Sequence, residues 1–215
     1  MNLGTILDAI KIWVEGLISS MGYTGLGITM FLENVFPPIP SEIVLPLAGS
    51  LTLTGRFTIL GVVFFGMLGS LAGAYLFYGL GKWLGIENIR KLVGKIGKYM
   101  LITVEDFDNS LDWFNKHGEL VIFFGRMVPI IRSLISIPAG VASMNMVRFT
   151  IFTIAGTSLW NFLLAFGGKL LGQQWPKIAD WIGTYQNVVI VLAVAAVAVF
   201  VVMRLRKMKK EKAAN

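Results

Sequence analysis

The chain is predicted to be an all-α polytopic membrane protein, an inverted repeat of a re-entrant helical hairpin plus a transmembrane helix, with an extra C-terminal transmembrane helix. Three observations lead there. Of its 215 residues 55% are hydrophobic and 14% charged, with a mean hydropathy of +0.72, whereas soluble domains carry about 25% charged residues. The stretch 31–49, FLENVFPPIPSEIVLPLAG, sets prolines and two glutamates inside a strongly apolar region. The chain also repeats itself: at an offset of 92 residues Phe31 falls on Phe123, Pro37 on Pro129, Ile39 on Ile131, Ser41 on Ser133 and Pro46 on Pro138, and Arg-Phe-Thr-Ile at 56–59 falls on the same four residues at 148–151.

Residues 1–20 read as an amphipathic interfacial helix. Leu3, Ile6, Leu7, Ile10, Val14, Leu17 and Ile18 keep helical spacing opposite Asp8, Lys11, Glu15 and Ser19, a pattern suited to the bilayer surface. With no basic n-region and no small-residue cleavage site, the segment does not read as a secretory signal.

Repeat one covers 21–85. Its arms, 24–36 and 43–55, are about 13 residues each and reach about 20 Å, short of a hydrocarbon core about 30 Å thick. Pro37, Pro38 and Pro40 remove amide donors and forbid a continuous helix. The segment 24–55 is therefore expected to be a re-entrant hairpin, followed by a transmembrane helix over 57–81. Gly66, Gly69 and Gly73 with Ala72 and Ala74 form a small-residue face for close packing inside the bundle, and such a face is compatible with a homo-oligomer.

Residues 86–118 read as a cytoplasmic amphipathic linker: Lys82, Arg90, Lys91, Lys95 and Lys98 suit the positive-inside pattern, and the second half is acidic. His117 there is expected to be a surface residue rather than a metal ligand. Repeat two covers 119–172, with a hairpin over 119–147 broken at Pro129 and Pro138 and a transmembrane helix over 149–168. An external loop, 173–184, leads to the C-terminal transmembrane helix, 185–203, and a basic cytoplasmic tail, 204–215. A hairpin adds no crossing and a helix adds one, so the second repeat must be upside down relative to the first. Inverted repeats whose broken helices meet near the midplane are a recurring transporter architecture.

Much of the net charge of +7 lies in the tail, in Arg204, Arg206, Lys207, Lys209, Lys210 and Lys212. A basic cluster directly after a span is a topology anchor with an affinity for anionic membrane lipids, which argues against a nucleic-acid partner. The chain has no cysteine, so disulfides and thiolate chemistry are excluded. Nothing in the pattern calls for a cofactor, a metal or a catalytic residue.

The charges inside the hairpins carry the functional reading. Repeat one supplies Glu33 and Glu42; the aligned part of repeat two supplies Arg126 and Arg132. Intramembrane charges are costly and face a cavity, a partner or a substrate. Two guanidinium forks in an apolar pocket suit a phosphate, and carboxylates beside them can bind and release protons. The competing reading is that the four charges only neutralise one another and lock the hairpins together.

FLENVFPPIPSEIVLPLAG together with GRMVPIIRSLISIPAG resembles the DedA family of bacterial inner-membrane proteins, related to the VTT-domain proteins of eukaryotes, over about residues 20–205. The resemblance implies a lipid transporter. The ENVFPPIPSE form is most similar to the branch that returns undecaprenyl phosphate from the outer to the cytoplasmic leaflet. Carried over by motif, the family's essential acid falls on Glu33 and its two arginines on Arg126 and Arg132. Glu42 stands where other branches place an aspartate a few residues further along. The expected partners are a lipid-phosphate substrate, membrane lipids and protons. The alternatives are a translocase for phosphatidylethanolamine, a proton-coupled small-ion transporter and, from a different class, a lipid phosphatase.

Overall fold

A computed structural model describes residues 3–36, 41–100, 103–129 and 131–172. Pro37, Pro38 and Pro40, the loop 173–184, the C-terminal helix 185–203 and the tail 204–215 lie outside the described residues. Among the described residues the chain is helical and holds no strand: α1 (Leu3–Met21), α2 (Tyr23–Val35), α3 (Ser41–Ser50) with a 3₁₀ turn at Leu51–Thr54, α4 (Ile59–Met100), α5 (Val104–Gly125), α6 (Ile131–Leu134), α7 (Ser136–Val141) and α8 (Met146–Leu171).

Local chemistry explains several of these boundaries. Gly85 sits at φ 67°, ψ 161° and kinks α4; this left-handed backbone is open to glycine without a steric penalty. Thr103 caps α5 in a capping box, accepting from the Asp106 amide (3.1 Å) while the Thr103 amide donates to Asp106 Oδ2 (2.9 Å). From there α5 runs unbroken through 118–119, so the end of the expected linker and the start of the expected second hairpin form one helix. Asn145 Oδ1 caps α8, accepting from the amides of Val147 (3.0 Å) and Arg148 (3.2 Å). Pro138 lies in the first turn of α7, where an amide has no partner within that helix. Pro129, by contrast, is buried in the non-helical stretch between α5 and α6.

Among the described residues two helices are long and apolar enough to cross a membrane, within Ile59–Lys95 and Met146–Leu171. Both turn large apolar side chains outward, among them Leu60, Phe64, Leu68 and Leu76 on α4 and Ile151, Leu159, Phe162 and Phe166 on α8, while Ser70, Thr153, Thr157 and Asn161 are buried. This inside-out distribution suits lipid as the surrounding solvent.

The broken helices pack across the molecule. α2 lies along α4 and α5 along α8, but α3 packs on α8 and α7 on α4. The α3–α8 approach leaves Gly168 against the Pro46 carbonyl and Gly49 against the Ala165 carbonyl; the α7–α4 approach leaves Gly81 against the Ile137 carbonyl and Gly140 against the Tyr78 carbonyl. Two apolar cores result. One joins Val14, Ile18, Leu26, Met30, Leu45 and Phe57 to Ala165 of α8, and the other joins Phe114, Ile122, Ala139 and Phe149 to Ala74 and Tyr78 of α4. Gly66, Gly69 and Gly73 are buried in these contacts, against Asn161 and Leu45, against Gly27, and against Asn34, whereas Ala72 is exposed.

Candidate functional site: a buried charge cluster between two broken helices

Glu33 sits near the C-terminal end of α2 and Glu42 in the first turn of α3, so the two lie on separate helices. The negative charge of Glu42 is favoured by the N-terminal end of α3, while that of Glu33 opposes the C-terminal end of α2. Arg126 is the C-cap of α5, where a cation is favoured, and Arg132 lies in α6 just past Pro129. All four are buried, with relative exposures of 4% for Glu33, 4% for Glu42, 2% for Arg126 and 6% for Arg132.

The structure brings the four into one cluster. Arg132 Nη2 forms an ion pair with Glu33 Oε1, joining the two broken helices directly. Arg126 does not reach a carboxylate. Its Nη1 donates to the Arg132 carbonyl (2.5 Å) and its Nη2 to Ser136 Oγ (2.8 Å) and Thr153 Oγ1 (3.4 Å), with the guanidinium 5.8 Å from the Phe149 ring centroid. Glu42 interacts electrostatically with both Glu33 and Arg132, and its Oε1 has no hydrogen-bond partner. The pair that crosses between the helices is therefore Glu33–Arg132, and the fixed cation is Arg126.

A polar hollow of about 10 Å³ opens beside the arginines, lined by Asn34, Ser70, Arg126, Arg132, Thr157 and Trp160. That is room for about one water, smaller than a phosphate-sized space. A larger apolar groove of about 730 Å³, between the end of α4, α5 and α7, shares no lining residue with it.

Sequence reasoning missed the polar residues contributed by the long helices. Thr153, Thr157 and Asn161 are buried at successive four-residue steps on α8, a polar stripe in an apolar span that helical spacing alone would have flagged. With its amide nitrogen toward the Thr157 carbonyl (3.2 Å), Asn161 accepts from the Met67 amide (3.1 Å) and ties α8 to α4. Asn34, next to Glu33, donates to the Ser70 carbonyl (3.1 Å) and ties α2 to α4. His117 is exposed, 5.1 Å from the Trp113 ring, and among the described residues no group of three or more His, Cys, Asp or Glu could hold a metal ion.

Comparison with known proteins places this geometry. The VTT domain matches residues 39–170. A Lactococcus lactis subsp. lactis protein called alkaline phosphatase-like protein is 39% identical over 193 residues, covering 87% of this chain and 90% of that protein. Undecaprenyl phosphate transporter A of Staphylococcus aureus is 33% identical over 199 residues, covering 93% and 98%. The Bacillus subtilis protein of the same name is 33% identical over 204 residues, covering 95% and 97%. No solved structure matches the chain. With the domain matched over more than half its length and relatives this similar over nearly all of it, the chain belongs to the VTT-domain (DedA) family of membrane proteins.

Proposed function

We propose that this protein moves undecaprenyl phosphate from the outer to the cytoplasmic leaflet of the bacterial inner membrane, coupled to protons, for envelope biogenesis. The carrying observation is the buried Glu33–Arg132 ion pair between two broken helices, beside a hollow that Arg126 and Arg132 both line. Two full-length relatives named for undecaprenyl phosphate support the choice of substrate.

In this reading the broken helices are re-entrant hairpins of an inverted repeat. The glycine contacts of α3 with α8 and of α7 with α4 support it, since each hairpin's second arm packs against the other half's long helix in the same way. The C-terminal helix 185–203 would complete the multi-pass chain and leave the tail in the cytoplasm. Arg126, already held by Ser136 and Thr153, is a preorganised phosphate ligand; Arg132 is held by Glu33 until a stronger competitor arrives. Protonation of Glu33 removes its charge and releases Arg132 to the phosphate, and loss of that proton returns the pair and expels the anion. Glu42 shares the cluster and can take part in the same exchange. Proton and phosphate thus enter together, and exchange of access between the halves carries the head group across while the polyprenyl tail stays in lipid.

The test is leaflet exchange of undecaprenyl phosphate in proteoliposomes across a defined pH gradient. Exchange should depend on the gradient and fall to the protein-free rate in Arg126→Ala and Arg132→Ala, each purified as a monodisperse species. Movement of phosphatidylethanolamine but not undecaprenyl phosphate would change the substrate, and indifference to the gradient would remove the proton role. The name of the Lactococcus relative favours a second reading, phosphate-ester hydrolysis; release of inorganic phosphate by the purified protein would establish it in place of transport.

A further inference from the structure

Two cavities away from the charge cluster share a wall. The apolar groove of about 730 Å³ is walled by Ile89 of α4, Trp113 and Phe114 of α5, and Ile135, Ile137 and Val141 in or beside α7. Next to it lies a polar cavity of about 410 Å³, walled by Asn115, Lys116 and Glu119 of α5, Ser143 and Asn145 of the turn before α8, and Arg148 of α8. The two meet at Phe114, which lines both, and at the consecutive residues Val141 and Ala142, one in each wall. They form one amphipathic depression, an apolar trough with a cationic end, and each part has the volume of a small-molecule site.

The polar end holds two cations and one carboxylate. Arg148 donates to Glu119 (3.1 Å), but the two side chains are 69% and 43% exposed, so the pair contributes little and yields to a competing anion. Among the described residues Lys116 pairs with no carboxylate. Arg56, the equivalent of Arg148 in the first half, donates instead to the Ser19 carbonyl of α1. Only the second half therefore presents this arginine to an open cavity.

Both parts of the depression restrict what fits. A soluble anion would occupy the polar end and leave the apolar trough to water, whereas an anionic amphiphile covers both. The trough also adjoins lipid-facing surface: Trp113 at its rim continues along α5 into Leu120 and Phe124, all three exposed at helical spacing. We propose that this depression binds an anionic membrane phospholipid, its phosphate on Lys116 and Arg148 and one acyl chain in the groove. The site shares no lining residue with the hollow beside Arg126 and Arg132 and does not rest on the transport reading. Each exposed cation near a membrane surface strengthens such binding only about fivefold, so the ligand is one that the bilayer supplies in abundance rather than a scarce carrier lipid.

The test places the full chain in phosphatidylcholine nanodiscs doped with phosphatidylglycerol brominated on one acyl chain, or with phosphatidylcholine brominated in the same way. Bromine quenches a tryptophan that it touches, and the part of the quenching that vanishes in Trp113→Phe reports the groove alone. In the wild-type protein half of that part should be reached at roughly 25-fold less brominated phosphatidylglycerol than brominated phosphatidylcholine. Lys116→Gln and Arg148→Gln, both at exposed positions, should each narrow the preference about fivefold, and the double variant should respond to both lipids alike. Glu119→Gln, which frees Arg148, should widen it. Equal Trp113-dependent quenching by the two lipids in the wild-type protein, or a preference that survives the double variant, overturns the site. Displacement of the brominated phosphatidylglycerol by a smaller fraction of undecaprenyl phosphate overturns the choice of ligand and assigns the depression to the carrier lipid.

Discussion

Thr58 and Thr150, 92 positions apart, do the same job: each hydroxyl meets a tyrosine hydroxyl, Tyr23 at 3.2 Å and Tyr75 at 2.8 Å, while the preceding phenylalanines, Phe57 and Phe149, are buried in the two apolar cores. The two breaks, equally related by position, do opposite jobs. Beside the first lie Glu33 and Glu42 and beside the second Arg126 and Arg132, all four buried. Where a contact only holds helices together, both halves can use the same residues, because packing and neutral hydrogen bonds carry no net charge, whether the partner lies in the same half, as Tyr23 does for Thr58, or in the other, as Tyr75 does for Thr150. Where the halves meet, identical charges would repel in a medium of low dielectric, and only opposite ones can be buried together.

The comparison breaks most completely if the halves are not inverted. Single cysteines replacing Arg56 and Arg148, equivalent and exposed positions, should react with a membrane-impermeant thiol reagent from opposite sides, Arg56→Cys from outside and Arg148→Cys only after the membrane is opened. The chain has no cysteine of its own to confuse the result. Labelling of both from one side would end the inverted-repeat reading.

A smaller effect concerns the charges that differ. Arg132→Ala leaves Glu33 buried without its cation and should cost about 3–5 kcal/mol, whereas the double change Glu33→Leu/Arg132→Met removes both charges and should be neutral or stabilising by about 1–4 kcal/mol. Thermal unfolding in detergent separates the two, and exchange assays should find both variants inactive. An active double variant would assign the pair to folding alone.

The smallest effect sharpens what the halves share. Gly49→Ala and Gly140→Ala each set a methyl group on the backbone of the opposite long helix, and each should cost about 1–3 kcal/mol from overpacking. Matched losses in midpoint temperature would show equivalent packing; a loss in one variant only would mean that the crossing contacts are not equivalent.

Much of this was legible beforehand, for identifiable reasons. The long helices announce themselves because a lipid-facing span needs an unbroken apolar stretch, and Pro129 marks a break because a missing amide cannot be hidden. The four charges stand out because nothing else in their surroundings is charged. The continuity of α5 was not legible, since the acidic segment and the apolar hairpin arm differ in composition while sharing one hydrogen-bond ladder from the Thr103 cap. Trp160 and Ser70 were also missed, because a single uncharged polar residue in an apolar helix looks the same whether it faces lipid, backbone or a cavity.

The residue order by itself determined a membrane-embedded helical protein, its internal duplication and the identity of its buried charges, since these follow from hydropathy, backbone chemistry and the cost of ionised groups in hydrocarbon. Only the tertiary structure decided that Arg132 rather than Arg126 takes Glu33, that the site is shut to about the size of a water, and which uncharged side chains line it. Those outcomes depend on how α3 crosses α8 and α7 crosses α4, and such crossings are set by packing between residues far apart along the chain.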